Sequence, residues 1–367
     1  MKITKATHRY EAWLADRTPL VRPDIALKHA AMAADAFSFF RATFYRWVQR
    51  WRKTCAAATA PAVLAVGDLH VENFGTWRDI EGRLIWGIND FDEAHLMPYT
   101  IDLVRLAASA RLAIAATHLA LTANEACDAI VTGYTDALAA GGQPFVLSSE
   151  HFGWLRATAT GELRDPVHFW RKMDALPTTR SAVPKSAVRA LERMLPEPGL
   201  RYRLAKRVSG LGSLGRQRFV ALAEWRGGSV AREAKALVPS AYIWQGKVSD
   251  RILYQRILDQ SVRCPDPFVR LRGRWIVRRL APDCSRIELS SLPKERDERR
   301  LLHAMGWEIA NVHLGSKRVI DAVRRDLKAR PKEWLYRASK QMFEVTLTDF
   351  VAWQNAMAAK SKARQAS

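Results

Sequence analysis

Apolar residues near the start of the chain recur at three- and four-residue steps, the period of an amphipathic helix. Met32, Phe37, Phe40, Phe44, Trp47, Val48 and Trp51 share one face, and Arg41, Arg46, Arg50 and Arg52 form the other. Residues 1–55 therefore read as helical, with the aromatics placed in a core. A short apolar run, AVLAV at 62–66, ends at Gly67 and reads as a strand feeding the turn-rich GDLHVENFG. Arg83–Ile88 reads as a second strand, running into NDFDEA. Pro98 precedes the long helical pattern IDLVRLAASARLAIAATHLALT, and a further helix spans about Ala123 to Ala140 before GGQP at 141–144. Residues 145–200 carry Pro166, Pro177, Pro184, Pro196 and Pro198, which predicts short helices and a linker.

From Tyr202 the texture changes. RLAKRVSGLGSLGRQRFVALAEW offers two β-rich arms around a glycine-rich turn, and GSVAREAKAL is a third strand. VSDRILYQRILDQ reads as a helix and PFVRLRGRWIVRRLA as a hairpin turning at Gly273. Helical patterns then occupy about 294–360, and the tail KSKARQAS is expected to fray. The organisation expected is a helical lobe with the acidic loops over 1–200, a β-rich lobe over 201–293, and C-terminal helices over 294–367 that pack back on the first lobe.

Length supports that division, because single cores stop growing near ~250–300 residues and this chain has 367. At 48% hydrophobic and 26% charged it buries enough apolar surface to fold. Four cysteines without CxxC spacing exclude a disulfide scaffold and a cysteine-rich zinc site. The first residues lack the apolar core of a signal peptide, and the apolar stretch Leu103–Ala123 is broken by Arg105, Arg111 and His118. A cytoplasmic protein with no membrane partner is expected.

Charge sharpens the picture. The net charge is +21, which brings nucleic acid and polyphosphate forward as partners, although no zinc finger or RNA-recognition signature is present. Gly67–Asp102 reverses the trend, with eight acids against two arginines, or −6. Residues 201–232 hold eight basic side chains against Glu224, or +7. Acids in one segment and bases in another suit a metal–polyphosphate site, the acids for Mg2+ and the bases for phosphate.

The densest chemistry lies in the two loops. Asp68 and Asn73 are five apart on the first, and Asp90 opens the second 22 residues after Asp68. Such a pair of strand-exit loops organises Mg2+–ATP: Asp68 takes the proton of an attacking hydroxyl, and Asn73 and Asp90 hold metal. The plain alternative is an Asx-type turn. His70 is expected to orient the loop, and Asp92 to support it. Farther on, Gly210, Gly212 and Gly215 form a GxGxxG with Ser213. A Rossmann turn needs a helix next, but the alternating RQRFVALAEW follows, so strand–glycine loop–strand fits better. Backbone N–H groups and Ser213 would then cover phosphates.

GDLHVEN resembles the GDxHxxN catalytic loop of the protein-kinase-like superfamily, in particular its aminoglycoside phosphotransferase branch, and INDFDEA resembles that branch's metal loop. Asp102, in PYTIDL, falls where those enzymes carry a buried aspartate that supports the catalytic-loop backbone. FSFFRAT, GDLHVENFG, NDFDEA, DLVRLAAS, KRVSGLGSLG and REA at 232–234 together resemble the bacterial family called domain of unknown function 2252. The resemblance implies an α+β, two-lobed kinase-like fold, helix-rich with a small antiparallel sheet. Here the glycine loop follows the catalytic loop by about 140 residues, so the fold would be circularly permuted, or the loop has another job. The phosphate-binding lysine of the family pattern is replaced by Arg232, with Lys235 as the substitute. The function implied is ATP- and Mg2+-dependent phosphoryl transfer to a hydroxyl acceptor, a small molecule by analogy. The alternatives are a nucleotide-binding pseudokinase or interaction module, transfer of AMP, and nucleic-acid binding.

Overall fold

The computed structural model describes residues 1–147, 152–159, 165–179, 183–244, 246, 250–284 and 297–365. Four helices come first: α1 (Ile3–Ala15), α2 (Arg22–Ala34), α3 (Ala36–Ala42) and α4 (Phe44–Thr54). Strands β1 (Ala62–Ala65), β2 (Phe74–Arg78), β3 (Leu84–Ile88) and β4 (His95–Pro98) carry the acidic loops. Helices α5 (Thr100–Ala115) and α6 (Ala123–Ala140), strand β5 (Phe145–Val146), and helices α7 (Gly153–Ala159), α8 (Pro166–Asp174) and α9 (Lys185–Glu192) follow. Next are β6 (Arg203–Lys206), β7 (Arg218–Trp225), β8 (Gly228–Ala236), α10 (Tyr254–Gln260), β9 (Arg270–Arg272) and β10 (Trp275–Leu280). Helices α11 (Glu298–His313), α12 (Ile320–Ala329) and α13 (Trp334–Gln365) complete the order. The fold is α+β, and among the described residues no helix is long and apolar enough to cross a membrane.

β6 to β10 form one antiparallel sheet in the order β6-β7-β8-β10-β9. Strand alternation gives it two chemically different faces. Phe219, Ala221, Ala234, Ala236, Trp275 and Val277 lie on one face and bury themselves against Ala187, Ala190 and Leu191 of α9. The other face is apolar at one end, where Val220, Leu222, Ala231 and Leu280 meet Met173 of α8. At the opposite end it becomes ionic, with Arg218 paired across from Lys235 and Glu233 across from Arg278.

This packing moves the expected boundary at 200. Apolar side chains of α8 and α9 pack on the two faces of the sheet, so among the described residues the strand-rich unit takes in both helices and begins near 166. The expected boundary at 293 lies outside the described residues. Two further expectations change. β2, which begins inside the stretch read as turn-rich, and β4, for which no element was expected, are strands because β3 and β1 offer them partners. The tail expected to fray continues α13 as far as Gln365.

The C-terminal helices return to the first half of the chain. α11 lies against α6 so closely that a Cβ on Gly133 would stand 1.9 Å from the His303 carbonyl oxygen, and one on Gly306 2.1 Å from that of Ile130. Alanine is the better helix former by ~1 kcal/mol, but overpacking against rigid backbone costs ~1–3 kcal/mol. Gly133→Ala and Gly306→Ala should therefore each lower the Tm by several degrees. An unchanged or raised Tm would mean that the two helices separate freely.

Candidate active site

The first acidic loop is held from below. Two residues after β1 comes Gly67, which takes φ +87°, and a Cβ there would meet the Glu93 carbonyl oxygen at 2.8 Å. Asp102, fully buried on α5, accepts the backbone N–H groups of Val66 (2.7 Å) and Gly67 (2.8 Å). Its second contact on Oδ2 is His313 Nε2 of α11, at 3.0 Å, whose Nδ1 meets the Tyr134 hydroxyl at 2.9 Å. A carboxylate taking two backbone donors fixes the chain immediately before Asp68. Ser109 of the same helix accepts the N–H of Val71, and His70 Nδ1 accepts that of Glu72.

Asp68 is half-buried, and its Oδ1 accepts two hydrogen bonds from fully buried Arg105, one from Nε at 3.0 Å and one from Nη2. The Arg105 guanidinium stacks over the Phe40 ring at 3.9 Å. Burial raises the Asp68 carboxyl above its ordinary value and Arg105 opposes the shift. Asn73 donates to the carbonyl oxygens of Asp68 (3.3 Å) and Asp90 (3.1 Å), which locks the two loops together. Its own amide oxygen accepts no hydrogen bond among the described residues.

Asp90 and Asp92 meet Lys235, which is fully buried on β8: Nζ lies 3.2 Å from Asp90 Oδ2 and 2.5 Å from Asp92 Oδ1. Burial disfavours charge on both acids. The Lys235 ammonium overcomes that for Asp90 and holds it well below the usual carboxylate range, while the charge of Asp90 helps raise Asp92. Arg216 adds ion pairs to Asp92 (3.2 Å) and Glu93 (3.3 Å). Burial pushes the Glu93 carboxyl up to about 7.

The glycine loop lies over this group. Gly212 sits so close that a Cβ on it would be 3.3 Å from Asp68 Oδ2 and 3.2 Å from the Arg41 carbonyl oxygen. Lys28 of α2 donates to the Gly212 carbonyl at 2.9 Å, and Val21 N–H to that of Gly215 at 2.8 Å, so the N-terminal segment clamps the loop. Ser213 Oγ donates to the Gly210 carbonyl and accepts from Arg218. Burial lowers the Lys28 ammonium to about 8.

Together these groups line a cleft of about 400 Å³, to which α8 adds the apolar Phe169 and Met173. Asp68, His70, Asn73, Asp90, Asp92, Gly210, Gly212 and Ser213 all line it, Lys235 reaches it through its two carboxylates, and Gly215 anchors the loop behind it. Arg232 is not brought there. It points to the opposite face of β8, donates to the Met194 carbonyl and stacks over Phe268, because residues an odd number apart on a strand face opposite ways. Asp102 acts from beneath. Among the described residues no three His, Cys, Asp or Glu side chains gather as a ready metal cage.

The sequence offers Arg278 and Arg279 on the WIVRRL strand as phosphate or substrate candidates, with plain exposed charges as the alternative; sequence reasoning missed Arg105, Lys28, Arg216 and, above all, Glu233 with Arg207 and Arg218. A signal existed for one of them: the hairpin pairing Trp225 with Gly228 sets the register that puts Arg218 opposite Lys235.

Beneath β3, Glu308 of α11 is buried and accepts from the Ile88 N–H and from Asn311. Burial pushes its carboxyl from an ordinary 4.5 up to about 7. The native state thus keeps a proton that the unfolded chain has released, so stability falls as pH rises through that window. Glu308→Gln should remove this part of the slope, changing the wild-type-minus-variant stability by about 3 kcal/mol between its ends. Thermal melts of both proteins across the window measure it, and parallel curves would contradict the assignment.

Residues 20–151 fit the model of a family described as an uncharacterized protein conserved in bacteria (DUF2252), a span that holds both acidic loops and stops short of the five-stranded sheet. No curated protein and no solved structure matches the chain.

Proposed function

We propose that this protein is an ATP- and Mg2+-dependent phosphotransferase of kinase-like, circularly permuted fold, acting on a hydroxyl acceptor. The observation that carries this reading is the convergence of a glycine loop, a strand lysine and two acidic loops on one cleft. The glycine loop joins β6 to β7, the first two strands of the sheet, and Lys235 lies on the third. Protein kinases place these parts on the same strands. Lys235 differs from their lysine in pairing with Asp90 and Asp92 instead of a helix glutamate.

The residues present fit the nucleotide and metal. Mg2+ keeps several waters and needs only one or two carboxylates beside phosphate oxygens. The Asp90 side chain is 41% exposed, and among the described residues the Asn73 amide oxygen accepts no hydrogen bond. Bound there, Mg2+ would neutralise charge on the phosphates. In this reading Asp90 and Asn73 hold the metal, the backbone N–H groups of 210–215 cover the phosphate chain, and Lys235 supplies fixed positive charge. Asp68 Oδ2, the oxygen turned to Gly212 and not engaged by Arg105, takes the proton of the acceptor hydroxyl.

Nucleotide binding without transfer is the second reading, favoured by the two hydrogen bonds from Arg105 that occupy Asp68 Oδ1. Two variants separate the readings. ATP with Mg2+ should raise the Tm, by the equivalent of ~2.7 kcal/mol at a hundredfold excess over Kd, and Asp90→Ala should abolish the rise. Asp68→Asn should keep the rise yet lower phosphoryl transfer to a metabolite extract by ~10²–10⁴-fold. No shift at millimolar ATP removes both readings, and a shift without any transfer in the wild type leaves the second.

A further inference from the structure

Glu233 is fully buried at the centre of the sheet, and three arginines surround it. Arg207 Nη1 lies 2.5 Å from Oε2, Arg218 Nη1 2.7 Å from Oε1, and Arg278 Nε 3.3 Å from Oε1. Burial works against the carboxylate charge and the three guanidiniums overcome it, holding Glu233 well below the usual range. One carboxylate therefore balances three cations, which leaves an excess of two positive charges fixed on a rigid sheet.

All three arginines line the cleft. Arg207 and Arg278 keep 24% and 20% of their side chains exposed, and Arg278 makes no hydrogen bond among the described residues, its buried Nε included. A guanidinium fork with free donors, facing a cleft, is built for a phosphate oxygen pair. Arg207 directly follows β6, Arg218 lies on β7 and Arg278 on β10, and neighbouring strands are ~4.8 Å apart. Such a row fits an extended oligoanion better than a single small anion. Arg218 also binds Ser213, so the row continues into the glycine loop.

We propose that Arg207, Arg218 and Arg278, preorganised by Glu233, form a binding cradle for a phosphate chain. The cradle rests on the reading of the cleft as a phosphate site but requires neither metal nor transfer, because its charge comes from arginine alone. The chain could belong to a nucleoside triphosphate or to a free inorganic polyphosphate, and the same test tells these apart.

The test is calorimetric titration of the full chain with inorganic tripolyphosphate in EDTA, with ATP in EDTA as the parallel arm. The wild type should bind tripolyphosphate, Arg278→Gln should weaken it at least tenfold, and Arg278→Lys should fall between because charge without the fork is retained. Arg272→Gln, an exposed arginine on β9, should match the wild type. Tighter binding of ATP than of tripolyphosphate assigns the chain to a nucleotide, and the reverse to an inorganic polyphosphate. An equal loss in Arg272→Gln and Arg278→Gln, or no tripolyphosphate binding by the folded wild type, overturns the cradle. Tripolyphosphate binding with no ATP-dependent transfer keeps the cradle and removes the phosphotransferase. Transfer that persists in Arg278→Gln does the opposite.

Discussion

One ammonium joins the two chemical halves of this molecule. Lys235 has no exposed surface and places its charge between Asp90 and Asp92, which belong to a loop some 140 residues earlier. Desolvating such a group is costly, and removing either partner of a buried pair typically costs ~3–5 kcal/mol because the remaining charge is stranded. The sheet is thus obliged to dock on the acidic loops in one register. Arg216 repeats the tie to Asp92 and Glu93, and Lys28 with Val21 closes the far side through the glycine loop. The cleft is the space enclosed by these contacts, so its shape follows from charge pairing more than from apolar packing.

The basic character of the chain takes on a different meaning in this light. The excess of +21 is not spread evenly over a surface. Several of its members are spent inward, on Asp68, Asp92, Glu93 and Glu233, each of which receives a guanidinium. Where one carboxylate receives three, positive charge is left over at the cleft wall. That residue of charge supports a phosphate ligand better than net charge alone.

Much of this was legible in the sequence, and the limits are physical. The period of apolar residues located α6 and α11, and β-rich texture located the sheet, because local spacing determines them. The two acidic loops and the glycine loop were legible as candidate site segments because each is contiguous, and the structure brings them to one cleft. Arg232 was misplaced and Lys235 left undecided, since the choice depends on which face of β8 turns to the cleft, and that is set by the apolar contacts of α9 with Ala234 and Ala236. Arg105 looked like an interruption in an apolar helix; only its partner Asp68, 37 residues away, explains it. Glu233 and its arginines come from four different strands or strand ends, so no window of sequence contains them. α8 and α9 were read with the wrong lobe because proline-rich texture says nothing about which neighbour a short helix will cover.

The most direct measurement is a crystal structure of the protein with Mg2+ and a non-hydrolysable ATP analogue. The phosphates should lie beneath Gly212, between Lys235 and the arginines of Glu233, with the metal on Asp90 and Asn73 and the terminal phosphoryl facing Asp68. A nucleotide bound elsewhere, or phosphates that avoid both the glycine loop and the acidic loops, would contradict the phosphotransferase cleft.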